Sequence, residues 1–226
     1  MVDVSSLPAL VRGYVERVLP SGSPSGRRVR VEQVGEMVLR PGAKPRRFRA
    51  TEEFATDRVA FAWRARFPVV GPIGLRVIDS YDGRDGLLEV RLLGLPLQRK
   101  RGAEIAEGEA FRYLAEIAWV PPAILANSQL AWREVDARTI EIATDAADKR
   151  IAVRLTFNER GEIEQTAAER PRAEAGGALT PWIGVYSEYQ PLGGMRVPTR
   201  GEVRWELDEG PFTYWRGNVT ALELRA

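Results

Sequence analysis

The stretch RVAFAWRARF, residues 58–67, decides the fold class of this chain. Its alternate positions form one apolar face, which consists of Val59, Phe61, Trp63, Ala65 and Phe67. The positions between them are small or charged, and include Arg64 and Arg66. A repeat of two residues is the period of a β-strand with one buried face and one wetter face. The stretch therefore predicts a strand in the wall of a hydrophobic core.

The same period recurs along most of the chain. Residues 73–81 alternate in the same way, and the sequence DGRDG at 82–86 supplies hairpin-turn residues before a further strand at 87–93. Later strands are predicted at 130–135, 139–144, 150–157, 162–169, 184–189, 201–207 and 211–224. Turns rather than helices separate most of these segments, which indicates an antiparallel sheet of about ten strands.

Two segments have a helical period instead. Residues 7–19 place their apolar side chains on one face and predict an amphipathic N-terminal helix. The Pro, Gly and Ser residues that follow predict a flexible loop over 20–27. The sequence EAFRYLAEIAWVPPAIL, residues 109–125, predicts a mid-chain helix that ends near Trp119, because a proline disfavours helical geometry in the residue before it.

The number of strands constrains the architecture. A flat sheet of this size would expose long edges and leave one face uncovered. We therefore predict an α+β fold that is mainly antiparallel β: a strongly curved sheet or half-barrel whose inner side is covered by the N-terminal helix and the mid-chain helix. No linker of domain size interrupts the 226 residues, so a single domain over residues 1–226 is expected.

The composition narrows the chemistry, since the chain contains no cysteine and no histidine. Disulfides, thiolate nucleophiles, Ser-His-Asp triads and ordinary transition-metal sites are therefore excluded. Carboxylate chemistry, a Lys or Tyr acid/base and oxygen-ligated hard cations remain. The sequence predicts no cofactor and no metal site, because its acidic residues lack the spacing of a calcium-binding loop.

Basic residues are concentrated in the N-terminal third. Residues 1–66 hold 13 Lys and Arg against 7 Asp and Glu, whereas residues 67–226 hold 20 against 24. The basic runs at 27–30 and 44–49 are interpreted as solvated loops, since no nucleic-acid-binding module accompanies them. Weak contact with a membrane surface through the basic third is the alternative, and no specific nucleic-acid partner is predicted.

The hydropathy pattern bears on location. No apolar run approaches the roughly 20 residues that a transmembrane helix needs. The N-terminus lacks the basic start, the continuous apolar segment and the cleavage site of a secretory signal. These two observations predict a cytoplasmic protein without a transmembrane segment.

Several short motifs, taken in order, resemble those of one known family. They are FAWRARF (61–67), VIDSYDGRDGLLEVRLLGLP (77–96), FRYLAEIAWVPPAIL (111–125), LAWREVD (130–136), LTFNERGEI (155–163), AAERPR (167–172), PWIGVYSEYQPLGGMRVPTRGEVRW (181–205) and FTYWRGNVTALEL (212–224). The series is similar to the uncharacterised bacterial domain family DUF6544, also called DUF6920, from Leu7 to the C-terminus. The family's general architecture is similar to the lipoprotein-carrier half-barrels of the periplasm, which hold acyl chains. The resemblance implies a curved sheet and an apolar ligand.

The mid-chain helix contributes polar groups to the candidate site. Arg112 and Glu116 lie four residues apart on one helix face and can form an ion pair. If the pair is exposed, it is a small stabilising contact. If it faces a cavity, a ligand carboxylate or phosphate can compete for the Arg112 guanidinium. Both orientations stay open at this stage.

The predicted ligand-binding residues combine this pair with aromatic side chains. They are Trp63, Asp79, Tyr81, Arg112, Tyr113, Glu116, Trp119, Trp182, Tyr189 and Trp205. Further candidates are Trp132, Arg170, Tyr186, Glu188, Tyr214 and Trp215. An aromatic residue on a strand is most often ordinary core, but a curved sheet lined by Trp and Tyr is also what a pocket for an apolar ligand needs.

Three functions are compatible with these residues. The first is a non-catalytic binder of an apolar or lipid-like small molecule, with Arg112 and Glu116 near the polar end of the ligand. The second is a carboxylate-dependent enzyme that uses Glu116 or Asp79 as acid/base. The third is a structural or interaction domain in which the aromatics fill a solid core.

Overall fold

The computed structural model describes residues 2–20, 26–71 and 73–226, and helices form a small part of it. The helices are α1 (Ala9–Val18), α2 (Ala103–Ala115) and the short α3 (Pro122–Ala126), with 3₁₀ turns at Val4–Ser6, Glu116–Trp119 and Ala173–Ala175. The N-terminal helix is shorter than the predicted helix 7–19, because its N-cap residue is Pro8 and the helix begins after it. The mid-chain helix begins before the predicted position 109. Most of the loop predicted over 20–27 lies at residues 21–25, which are outside the described residues.

One antiparallel sheet makes up the rest of the described chain. Its strands are β1 (Arg28–Met37), β2 (Arg46–Ala55), β3 (Phe61–Val70), β4 (Ile73–Tyr81), β5 (Gly86–Leu92), β6 (Leu95–Arg101), β7 (Ala131–Asp136), β8 (Thr139–Ala146), β9 (Lys149–Phe157), β10 (Ile163–Arg172), β11 (Ala178–Leu192), β12 (Met195–Leu207) and β13 (Gly210–Arg225). Their order is β6-β5-β4-β3-β2-β1-β13-β12-β11-β10-β9-β8-β7. Two meanders, β1 to β6 and β7 to β13, are therefore joined where β13 pairs with β1. Within the described residues β6 and β7 are free edges, so the sheet is open.

Three strands were not foreseen from the sequence, namely β1, β2 and β6. The basic runs at 27–30 and 44–49, interpreted as solvated loops, lie largely in β1 and β2, and that interpretation was wrong. Charged residues fill most of the outer positions of β2, and Glu52 occupies one of its inner positions, so the apolar alternation is interrupted. In β6 every residue is exposed, and an edge strand that carries Arg99, Lys100 and Arg101 gives no amphipathic signal.

The position of α2 shows how strongly the sheet curves. This helix packs against β4, β5 and β6 on one side and against β8, β9 and β10 on the other. In a flat sheet β4 and β10 would lie about 34 Å apart, from a strand spacing near 4.8 Å. A helix is only about 10–12 Å wide. The sheet must therefore wrap around α2, which confirms the predicted half-barrel with a helix on its inner side.

Glycines on the inner face make room for the largest core rings. Gly35, Gly217 and Gly201 are direct register neighbours on β1, β13 and β12. A Cβ atom at Gly217 would overlap the ring of Trp215, and one at Gly201 would lie 3.0 Å from the ring of Trp119. The two indole rings pack with their centroids 5.9 Å apart. This close approach of backbone and ring is available only without side chains at these positions.

We expect Gly217→Ala to lower the free energy of unfolding by about 1–3 kcal/mol, since the added methyl group overpacks the core against Trp215. Urea denaturation followed by tryptophan fluorescence measures the change. Gly13→Ala in α1 is the matched control, because nothing lies within 4 Å of its added Cβ. There the helix propensity of alanine should raise the free energy of unfolding by up to about 1 kcal/mol. A stabilising Gly217→Ala would contradict the packing described.

Candidate functional site

Arg112 lies at the centre of the inner face and binds three carboxyl groups. Its Nε donates to Glu116 Oε1 at 2.8 Å, its Nη1 to Asp79 Oδ2 at 2.8 Å, and its Nη2 to Glu52 Oε1 at 2.7 Å. The arginine side chain is only 15% exposed, and Glu52 is completely buried. The predicted pair of Arg112 and Glu116 thus forms and faces the interior. One guanidinium group ties α2 to β2 and to β4.

Aromatic rings and an amide hold this cluster in place. The guanidinium carbon of Arg112 lies 4.9 Å from the ring centroid of Phe61 and 5.1 Å from that of Trp63, within cation–π range. The Trp63 indole N–H donates to Gln33 Oε1 at 2.8 Å, and the Gln33 amide donates to Glu52 Oε2 at 3.0 Å. Both oxygens of Glu52 therefore accept hydrogen bonds from groups that are themselves fixed.

A fourth carboxyl group, that of Glu109, is buried in the same region. Burial, together with the charge of Asp79, raises the pKa of Glu109 well above its ordinary value of 4.5. Burial also raises the pKa of Glu52 well above 4.5, and the charge of Glu116 adds to this rise while Arg112 opposes it. Glu52 and Glu109 are consequently the carboxyl groups of the cluster that favour the protonated form.

The protonation of Glu52 and Glu109 bears on three buried oxygen atoms of the cluster. Asp79 Oδ1, Glu109 Oε2 and Glu116 Oε2 have no ordinary donor among the described residues. The neighbouring carboxyl groups, Asp79 beside Glu109 and Glu116 beside Glu52, contribute to both pKa rises. A protonated carboxyl group can donate a hydrogen bond, so protonation of Glu109 and Glu52, which their raised pKa values favour, would supply a donor to these oxygens.

A second arginine, Arg170, is close enough to influence Glu109 and lies on an aromatic cluster beside α2. Its guanidinium carbon is 4.7 Å from the ring of Trp182 and 5.9 Å from that of Trp205. Trp205 stacks on Tyr214, with ring centroids 6.3 Å apart, and the Trp182 indole N–H donates to the Tyr214 hydroxyl at 3.0 Å. We call Trp182, Trp205, Phe212 and Tyr214 the aromatic cluster. Its last three members are only half-buried.

A β-bulge between β12 and β13 builds this cluster. Val203 pairs with Trp215 and Arg204 with Thr213, so Tyr214 is an extra residue in β13. A bulge can direct two successive side chains to one face of a sheet. Trp215 accordingly packs in the core while Tyr214 extends the inner aromatic surface.

The predicted ligand-binding residues separate into groups. Trp63, Asp79, Arg112 and Glu116 belong to the central cluster, and Trp182 and Trp205 belong to the aromatic cluster. The others, which lie outside both clusters, are Tyr81, Tyr113, Trp119 and Tyr189. The polar atoms of three of them bind backbone oxygens: Tyr113 donates to Ala55 O at 2.8 Å, Trp119 to Pro198 O at 2.9 Å and Tyr189 to Ile163 O at 3.0 Å. Tyr81 is buried on β4 beside Phe61.

The sequence reasoning missed Gln33, Glu52 and Glu109 as members of the central cluster. A signal for Glu52 existed, because it takes the inner position between Ala50 and Phe54 in a strand of period two. A carboxylate at such a position must have a buried partner. Glu109 gave a similar signal on the buried face of α2. Only the tertiary structure shows that these residues converge on Arg112.

The fold places the protein in the class of open β half-barrels with an internal helix. A LolA superfamily protein from Nitrosomonas europaea has a TM-score of 0.50 at 13% identity, with 100% of this chain and 95% of that chain covered. A DUF1329 family protein from Desulfovibrio piger has a TM-score of 0.52 at 13% identity, with coverages of 89% and 87%. A domain described as outer-membrane lipoprotein-sorting, from Vibrio parahaemolyticus, has a TM-score of 0.53 at 8% identity, with coverages of 99% and 94%. These similarities establish the fold.

The chain belongs to DUF6544, a family of unknown function, whose model matches residues 2–217. This match confirms the resemblance drawn from the ordered motifs. A search of curated proteins gave no significant match. In the described part of the chain, no helix has the length and apolar character needed to cross a membrane. Among the same residues, no group of three or more acidic side chains has a geometry that would hold a metal ion.

We expect Arg112→Met to lower the free energy of unfolding by about 3–5 kcal/mol, because it leaves buried carboxyl groups without their cation. Urea denaturation measures the loss. Arg138→Met is the control, since it breaks an ion pair with Glu164 whose side chains are 57% and 40% exposed. That control should cost less than about 1 kcal/mol. Equal losses in the two variants would contradict a central role for Arg112.

The raised pKa values of Glu52 and Glu109 predict a pH dependence of stability. The folded-state pKa values of Glu52 and Glu109 are raised above 4.5, so their contribution is fully present below 4.5 and is lost as pH rises through the raised values. We therefore expect the free energy of unfolding to fall as pH rises above 4.5 through the raised pKa values of these two groups. Glu109→Gln, which stays neutral and can still donate to Asp79, should reduce this fall.

Urea titrations at a series of pH values test this expectation. Glu164→Gln, a substitution of a partly exposed carboxylate, serves as the control and should leave the slope unchanged. If Glu109→Gln has the same pH slope as the unmodified protein, the pKa of Glu109 is not raised as described.

Proposed function

We propose that the protein is a non-catalytic binder of an apolar or lipid-like small molecule, and that the aromatic cluster forms the mouth of its ligand site. The observation that carries the proposal is a set of half-buried aromatic rings, Trp205, Phe212 and Tyr214, on the concave face of a curved sheet. Rings of this size would gain from further burial against an apolar molecule.

The first meander supplies apolar residues on the same inner face. Leu75 and Val77 alternate on β4, opposite Leu92 and Val90 on β5, and all of these side chains are half-buried. Met37, at the end of β1, is half-buried as well and pairs with Trp215. The inner face is therefore only partly covered toward this end of β1, β4 and β5. An apolar molecule placed there would contact both meanders.

The polar end of the ligand is assigned to Arg170 rather than to Arg112. Each of the three guanidinium nitrogens of Arg112 donates to a carboxyl group of the protein, so a ligand anion would compete with buried partners. Arg170 stacks on Trp182 and Trp205, and the described residues provide no ion pair for it. Its guanidinium can therefore meet a carboxylate or phosphate head group beside the aromatic cluster.

Fold-level analogy supports the proposal without deciding it. One protein of similar structure is described as a lipoprotein-sorting domain, and lipoproteins carry attached lipid chains. Catalysis by Glu116 or Asp79 stays a prediction from the sequence, and both side chains are engaged by Arg112. The cytoplasmic location likewise stays a prediction.

Native mass spectrometry of protein purified without detergent, followed by solvent extraction, tests the proposal. We expect an apolar adduct, or uptake of one from a panel of fatty acids and phospholipids. Trp205→Ala and Phe212→Ala should weaken binding at least about tenfold, the scale of a truncated aromatic anchor. Tyr189→Leu is the matched control, because this half-buried aromatic lies near the other end of β11 and should leave binding unchanged. A protein that carries and accepts no apolar molecule would rule out the binder.

A further inference from the structure

Exposed apolar side chains gather at one edge of the first meander. The hairpins β1–β2, β3–β4 and β5–β6 turn at the same edge, and neighbouring tips are two strand spacings, or about 10 Å, apart. Of the nine large apolar side chains that are exposed in the described residues, five lie on these tips. They are Leu39, Val69, Ile73, Leu93 and Leu95. We call these residues the apolar tips.

Leu93 is unfavourable for folding at its position. It is 72% exposed. Leu93 and Gly94 form the two-residue turn between β5 and β6, with φ angles of 50° and 85°. Such a turn favours asparagine or aspartate at its first position, because a bulky side chain is strained at positive φ. Neither backbone geometry nor solvation in water accounts for a leucine here, whereas burial against an apolar partner does.

The same hairpins are free of acidic residues. Residues 37–49, 67–78 and 90–103 contain no Asp and no Glu. The β1–β2 tip adds Arg40, Lys44 and Arg46, which are exposed and have no ion pair in the described part of the chain. The next hairpin along the sheet, β12–β13, carries Asp208 and Glu209. The acid-free edge therefore belongs to the first meander alone.

A groove of about 810 Å³ lies behind the β1–β2 and β3–β4 tips. Since Phe48 points inward, its neighbours Arg47 and Arg49 point to the outer face, where they line the groove. Other arginines in the lining are Arg66, Arg200 and Arg216. Arg47 pairs with Glu36, which also lines the groove, and Arg200 and Arg216 both pair with Glu202, so a phosphate would compete there with exposed carboxylates. Guanidinium groups arranged in this way suit the phosphates of lipid head groups.

We propose that the protein docks on the surface of an anionic phospholipid membrane through the three hairpins. The apolar tips enter the boundary between head groups and acyl chains, a depth of about 5–10 Å, and the arginines behind them meet the phosphates. A nucleic acid would use the same charges but would leave the leucines in water. A bilayer satisfies both sets of side chains at once, which is why we choose it.

Docking in this orientation would bring the aromatic cluster, the mouth of the ligand site, to the membrane. The Val38 N–H donates to Tyr214 O at 2.8 Å, so the β1–β2 tip is joined directly to the aromatic cluster. An apolar ligand would then pass between the bilayer and the half-barrel, a consequence that rests on the proposed function. The docking itself rests on the hairpins and would stand without a bound ligand.

Flotation of the full chain with vesicles tests the docking. We expect binding to vesicles of equal parts phosphatidylcholine and phosphatidylglycerol, little binding to phosphatidylcholine alone, and weakening by salt. Leu93→Asn should preserve or raise the thermal midpoint, because asparagine suits the turn, yet weaken vesicle binding about tenfold. Arg40→Ser and Lys44→Ser should each weaken it about fivefold. Val135→Asn, which replaces an exposed apolar residue on β7, is the matched control and should have no effect.

Several outcomes would overturn the docking. One is absence of binding to the anionic vesicles, and another is equal binding by Leu93→Asn and the unmodified protein. Binding to duplex DNA that Leu93→Asn does not alter would point to a polyanion site instead. A dimer in light scattering that Leu93→Asn dissociates would identify a second copy as the occupant. Solvent extraction of the Leu93→Asn protein distinguishes membrane docking from ligand binding. A variant that still contains its ligand but no longer binds vesicles has lost docking alone.

Discussion

The guanidinium of Arg112 is the contact on which the arrangement of the half-barrel depends. Apolar packing alone would let α2 slide or rotate slightly within the curved sheet. Two directional ion pairs, to Glu52 on β2 and to Asp79 on β4, fix both the height and the rotation of the helix, and the third, to Glu116 directly after α2, orients the arginine. Because α2 also packs on β8, β9 and β10, fixing it against the first meander sets the position of the second.

Burying this cluster is costly, and its composition limits the cost. Desolvation of four carboxylates beside one arginine would exceed their attraction to it. The raised pKa values of Glu52 and Glu109 favour their neutral forms and so lower the buried charge, and Phe61 and Trp63 cover the guanidinium of Arg112. The cluster is therefore complete without a ligand. A molecule that displaced α2 would expose unpaired charges, so ligand entry is more favourable at the aromatic cluster, where the rings are only half-buried.

How far the sequence predicts this structure depends on which contacts are local. Strands with large apolar residues at every second position, such as β3, were predicted, and so was the pair of Arg112 and Glu116, because helix spacing alone brings it together. The charged strands β1, β2 and β6 were not predicted, since the charged residues at their outer positions obscure the apolar alternation. Glu52 is separated from Arg112 by 60 residues, and no local pattern reports such a contact.

Arginine makes up 30 of the 33 basic residues of the chain, which from the sequence alone indicates only a bias of composition. On most of the sheet the structure supports that view, because arginines there face glutamates on neighbouring strands, as in Arg133–Glu141 and Arg216–Glu202. Such exposed pairs add little to stability and keep the surface neutral. Among the described residues this pairing stops at the β1–β2 tip, where Arg40, Lys44 and Arg46 have no ion pair, and leucines there and on the β5–β6 tip take places that solvent would give to polar residues. At this edge the charges are not neutralised and apolar side chains are exposed, whereas elsewhere the surface is paired and polar. Such an edge is typical of a contact surface rather than of a solvated one.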